Sequence, residues 1–129
     1  MNSLAGAFFA AVNLLYAAMF GGPIDGTAWD VKVKEDGFFH WTTRQETLIF
    51  HGGKVAVAGD VARGYSPALY ESKDEGGGTD FTLVLSGDGR DPVEWSGRVE
   101  GERITGLMVV RARDGRTLRY KFSGARKNG

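Results

Sequence analysis

The sequence predicts an all-β domain: an antiparallel meander of eight or nine strands closing into a small barrel, preceded by an N-terminal apolar helix. Three observations carry this. Between Val93 and Gly124 apolar and polar residues alternate with period two through three runs joined by two tight turns, the signature of strands with one buried and one wet face. Twenty glycines stand against three prolines, many of them in Asp-Gly or Gly-Gly pairs, which suits strands and tight turns. Nearly all the connections are too short for parallel crossovers, and a meander of this length closes into a barrel to remove its unpaired edges.

The chain begins with an uncharged run, Leu4 to Phe20, in which Asn13 is the one strongly polar side chain, and Gly21-Gly22-Pro23 ends any helix there. Residues 1–22 are read as an export signal peptide or a retained membrane-anchor helix, and residues 23–129 as a single β-barrel domain. A signal peptide would want a basic start and small residues before its cleavage site. This run has neither Lys nor Arg, and its cleavage region is poor. A retained helix would place Gly6, Ala10, Asn13, Ala17 and Gly21 on one face and Phe8, Val12, Leu15, Tyr16 and Met19 on the other. Small residues around a polar side chain let a second membrane helix approach closely, so this face is the expected partner-binding surface for membrane helices or a second copy.

The first strand is expected at Thr27 to Lys34, with Trp29, Val31 and Val33 inward. Glu35-Asp36-Gly37 turns into a strand at Phe38 to Thr42, aromatic on both faces. Arg44-Gln45 is read as a turn before a strand at Thr47 to His51, and Gly52-Gly53 closes a hairpin into Lys54 to Ala58. Asp60 to Pro67 reads as a loop or a bulged entry, because Pro67 cannot donate to a ladder, with a strand following at Ala68 to Lys73. Asp74 to Gly78 reads as an exposed flexible loop. Strands at Asp80 to Ser86, Val93 to Glu100, Ile104 to Val110 and Leu118 to Phe122 complete the set. Asp114-Gly115 is assigned to a type I′ hairpin turn.

The pattern resembles the lipocalin and avidin group of up-and-down barrels. Gly26-Thr27-Ala28-Trp29 is one residue longer than the Gly-x-Trp of the first strand in those families, and Trp95-Ser96-Gly97 is similar to an avidin-type strand segment. The resemblance implies architecture, with Trp29 plugging the closed end, and transfers no ligand.

Sixteen basic residues balance sixteen acidic ones, so no global field draws the chain to nucleic acid. The absence of cysteine excludes disulfides, thiol catalysis and cysteine metal sites. On a hairpin centred near Arg44, His40 would face about Thr47 and His51 would lie beside Asp36, so the two histidines do not converge on a metal. No serine has a nucleophile-elbow context, and Gly76-Gly77-Gly78 has neither a lysine nor a following helix for a phosphate loop. The expectation is no enzyme and no cofactor.

What remains is binding. Trp29, Trp41, Trp95 and Tyr120 are the candidate ligand-binding residues of an aromatic-lined pocket, for which the inward glycines Gly97 and Gly106 would leave room. Arg63, Tyr65 and Tyr70 are the candidate partner-binding residues of an exposed segment. Arg111, Arg113, Arg116 and Arg119 form a possible basic patch with Arg126 and Lys127. The reading is an exported, periplasmic or membrane-anchored barrel that binds a small apolar ligand or an envelope component. The alternative is an accessory subunit of a membrane complex, with the barrel as an extramembrane cap.

Overall fold

Alternation of apolar and polar residues translates directly into the architecture. A computed structural model describes residues 23–35 and 43–128, and in it eight strands form one closed barrel in sequence order. The strands are β1 (Thr27–Glu35), β2 (Thr43–His51), β3 (Lys54–Val57), β4 (Ala68–Glu75), β5 (Gly78–Leu85), β6 (Val93–Glu100), β7 (Arg103–Arg111) and β8 (Thr117–Arg126). Every neighbouring pair is antiparallel, and β8 returns to β1 with Trp29 opposite Arg126 and Val33 opposite Phe122. The expected strand at Phe38 to Thr42, with Trp41 and His40, and the apolar N-terminal segment with Gly6, Ala10, Asn13, Ala17 and Gly21, lie outside the described residues.

The inward positions are those that alternation assigns: Trp29, Val31 and Val33 from β1, Leu48 and Phe50 from β2, Phe81, Leu83 and Leu85 from β5, and Phe122 from β8, all buried. They fill the barrel. A methyl group built at Gly97 would stand 2.9 Å from the Cζ atoms of both Phe81 and Phe122, and one at Gly106 would stand 2.7 Å from Phe122 Cζ. The space left by these facing glycines, which are partners in the β6–β7 register, is therefore taken by phenylalanine rings. Phe122 also meets Trp95 at a centroid distance of 5.0 Å, and Phe50 makes edge contacts with Tyr70 and Phe81 at 5.1 and 5.2 Å. Such tilted and edge arrangements match the quadrupoles of aromatic rings.

Four local expectations are corrected. Arg44-Gln45 is inside β2 and not in a turn, because Arg44 and Glu46 continue the inward series of Leu48 and Phe50 and are held there by ion pairs. As a result Thr47 pairs with Asp30, and His51 pairs with Lys54 on β3. The segment after β3 is not all loop: Ala58–Ala62 forms a short helix, α1. Asp74 and Glu75 belong to β4, leaving Gly76 and Gly77, both at positive φ, as the turn itself.

The turn at Asp114-Gly115 is also different in kind. A type I′ turn needs positive φ at both central residues, but here Gly115 is at +91° and Asp114 is not positive. Gly115 N–H donates to Ala112 O and Ala112 N–H to Arg116 O, which makes a type I turn closed by a glycine bulge. Asp114 stabilises it by accepting from the backbone N–H and the side chain of Arg116, and these contacts hold its carboxyl below the usual range.

Candidate functional site

Two places in the barrel concentrate polar chemistry, one at each end. At the end where β1 begins, Asp25 fixes the incoming chain. Its Oδ2 accepts from Gly52 N–H at 2.9 Å and its Oδ1 from Gly53 N–H at 2.9 Å and Tyr70 OH at 3.1 Å. One carboxylate thus ties the residues before β1 to the β2–β3 turn and to β4. Burial and then the Asp25 charge push the Tyr70 hydroxyl above the usual tyrosine range. Beside this clamp, Thr27 Oγ1 donates to Ile24 O at 2.5 Å and accepts from Trp29 Nε1 at 2.8 Å, so the Trp29 indole has its polar edge satisfied while the ring is buried.

Next to Trp29 lies a cleft of about 540 Å³, open to solvent. Ile24, Trp29 and Val99 supply its apolar wall, the Gly76-Gly77 turn and Asp74 one rim, and Arg126 the other. Asp74 is engaged by Thr79 Oγ1 at 2.8 Å.

At the opposite end α1 is fastened over the unpaired half of β2. Glu46 is 6% exposed, and its Oε1 accepts from Gly59 N–H at 3.1 Å while Oε2 meets Arg63 Nη2 at 2.9 Å and Arg44 Nε at 2.8 Å. The Arg44 contact is an ion pair without hydrogen-bond alignment, so Arg44 Nε makes no hydrogen bond. Arg63 Nη2 also donates to Asp60 Oδ1 at 2.6 Å, and Asp60, then Glu46, hold its guanidinium charged against the cost of partial burial. Gly59 lets the Glu46 carboxylate sit close, since a Cβ there would stand 2.6 Å from Oε1 and push it aside. This cluster is the fastening of α1: two carboxylates and two guanidinium groups that neutralise one another.

The sequence-derived candidates fall differently. Trp29 lines the end cavity. Trp95 is fully buried in the barrel centre, and its Nε1 has no hydrogen-bond partner among the described residues. Tyr120 is half-buried against the core near Met108, its register partner. These three do not share one pocket, and Trp41 lies outside the described residues. Arg63, Tyr65 and Tyr70 are not brought together on a surface either: Arg63 belongs to the α1 fastening, Tyr65 OH donates to Asp91 O at 2.7 Å, and Tyr70 is buried beside Asp25. Reasoning from sequence missed Asp25, Glu46 and Asp60. For Glu46 a signal existed, since it sits two residues before Leu48 on the same face; for Asp25 and Asp60 no local pattern marks the role.

No protein-family model matches this chain, and neither the curated proteins nor the solved structures contain a detectable match. The chemistry of the site therefore stands on the geometry alone. Among the described residues no group of three or more His, Asp or Glu is placed to hold a metal ion, and no helix is long and apolar enough to cross a membrane.

Proposed function

We propose that the chain is an exported, non-enzymatic β-barrel that binds a small ligand with an apolar part in the open cleft beside Trp29. The observation that carries this reading is the cavity itself. Its volume of about 540 Å³ suits a small molecule, and it sets the edges of Ile24, Trp29 and Val99 beside an equal share of polar surface from Thr27, Asp74, Glu75 and Arg126. The barrel axis does not offer the same, because phenylalanine rings occupy the space beside Gly97 and Gly106. Tryptophan fluorescence titrated with an anilinonaphthalene probe and with fatty acids tests it. Saturable binding is expected in the native chain and loss of it in Val99→Phe, which fills the cavity, while Tyr120→Leu binds as before. A flat response to every probe removes the reading.

A second reading, an accessory subunit with a retained N-terminal helix, is favoured by the Asp25 clamp. Three hydrogen bonds fix Asp25 to the barrel, so an anchored N-terminus would hold the domain through a rigid attachment point. The mass and membrane association of the protein purified from its host decide it. An intact chain in the membrane fraction supports the subunit. If the small-residue face binds partner helices, replacing Ala10 and Ala17 with Leu disrupts co-purification, whereas Phe8→Leu and Leu15→Ile do not.

A further inference from the structure

We infer that the outer face of β1 and β8 is a docking surface for an anionic phospholipid membrane, laid against the barrel's side. This goes beyond ligand binding at the end cavity and does not depend on it.

Most of the arginines clustered in sequence near the last hairpin do not make this surface. Arg111 pairs with Glu94 at 2.7 Å, Arg113 with Asp91 at 3.6 Å, Arg116 with Asp114 at 2.6 Å and Arg126 with Glu102 at 3.9 Å. Strand pairing assembles another cationic strip from distant parts of the chain. Lys32 and Lys34 alternate with Val31 and Val33 and point outward from β1, while Arg119 and Lys121 point outward from β8. The register sets Lys34 opposite Lys121 and Lys32 opposite Ser123. Lys32, Lys34 and Arg119 have no ion-pair partner among the described residues. Two acidic groups stand near: Asp30 is engaged by Thr47 at 2.8 Å, and Glu35, like Lys121, is already engaged, so the charges the face can offer are those of Lys32, Lys34 and Arg119.

Beside these cations runs a groove of about 640 Å³ crossing β8 from β1 to β7, lined by three cations and one carboxylate, Lys32, Lys34, Lys121 and Glu35, with Thr105 and Leu107. Leu107 is 40% exposed at its floor. Ammonium groups and hydroxyls around an apolar floor match a phosphate headgroup and the glycerol region beneath it. A chain of zero net charge gains no attraction from its total, so the segregation of cations onto one face is what would turn it toward an anionic surface. Lys54, Arg90, Arg103 and Lys127, comparable cations elsewhere, are dispersed over the start of β3, the β5–β6 connection, the start of β7 and the segment after β8.

Sedimentation of the full chain with vesicles tests the inference. Vesicles of phosphatidylcholine alone report the apolar N-terminus; vesicles mixed with phosphatidylglycerol add the charge. Stronger binding to the mixed vesicles is expected, falling as salt rises. Lys32→Gln/Lys34→Gln/Arg119→Gln should weaken the anionic component by roughly five-fold per charge removed, on the order of a hundred-fold in all. Lys54→Gln/Arg90→Gln/Lys127→Gln, with the same loss of charge, should leave most of it. Equal weakening by both triple variants overturns the inference, as does equal binding to both vesicle types, which would leave the membrane-anchored reading standing. Binding to neither vesicle type removes both, and binding to heparin or an acidic peptide without vesicle binding also overturns it. All six side chains are solvent-exposed, so circular dichroism is expected to show the native spectrum in each variant.

Discussion

Burial raises the Tyr70 hydroxyl above the usual tyrosine range, and the Asp25 carboxylate that accepts its hydrogen bond adds to the shift. Tyr65 is raised as well, by burial first and by Asp60 and Asp91 after it. In the unfolded chain both hydroxyls ionise near a pH of about 10. Above that pH the unfolded state loses protons that the folded state keeps, so the stability these groups lend is complete below it and declines as pH rises further. Urea midpoints measured across the alkaline range should fall, and Tyr70→Phe should flatten the fall while lowering the midpoint at neutral pH through loss of the Asp25 contact. The glycines set a second residue-scale constraint. Gly106→Ala drives a methyl group into the Ser96 carbonyl of the facing strand and to 2.7 Å from Phe122 Cζ, and overpacking of this kind costs at least about 1–3 kcal/mol. A control at Thr105→Ala, outward on the same strand, should move the unfolding midpoint much less.

At the scale of the element, α1 is too short to be stable through its own hydrogen bonds, and it has no side-chain cap at Val57. What holds it is Glu46, which receives the Gly59 N–H and the Arg63 guanidinium. Glu46→Gln keeps the shape but removes the charge from contact with both Arg44 and Arg63. Those arginines remain partly in water, which screens the loss, so a destabilisation of about 1–3 kcal/mol is expected by chemical denaturation. Arg63→Ala should act through the same contact, and the double variant should therefore cost less than the sum of the two. Additive losses would mean that the two side chains act separately.

For the whole molecule, closure of the barrel removes most strand edges, but the seams are unequal. β7 and β8 share nine register pairs, whereas β3 and β4 share two, Lys54 with Leu69 and Val55 with Ala68. The barrel should therefore open first at β3–β4, with α1 lifting from β2 at the same place. Native-state hydrogen exchange is expected to show the amides of Lys54–Val57 and Ala58–Ala62 exchanging through a smaller opening free energy than those of β6, β7 and β8. Uniform protection around the barrel would contradict this. The end cavity beside Trp29 sits away from α1, next to the β4–β5 turn, so ligand exchange there does not require that seam to part.

Much of the architecture was legible in sequence because a buried face imposes period two on each strand and short connections force neighbours to pair. Trp29, Val31 and Val33, or Leu118, Tyr120 and Phe122, announce their faces by alternation alone. Charge at an inward position broke that reading at Arg44 and Glu46, where an ion pair with a distant segment makes a strand continue past the point at which its apolar pattern stops. Alternation also cannot say what fills the gap beside an inward glycine; the Phe81 and Phe122 rings do so because β5, β6, β7 and β8 are neighbours in the closed sheet. The candidate site was legible only at Trp29. Its cavity is made by residues at 23–29, 74–79, 99–101 and 126, which share no local motif. The cationic strip has the same origin: Lys32 and Arg119 are far apart in the chain, and the closing β1–β8 register places their strands side by side. Local pattern determines the direction in which each side chain points, while only the pairing of strands decides which side chains meet.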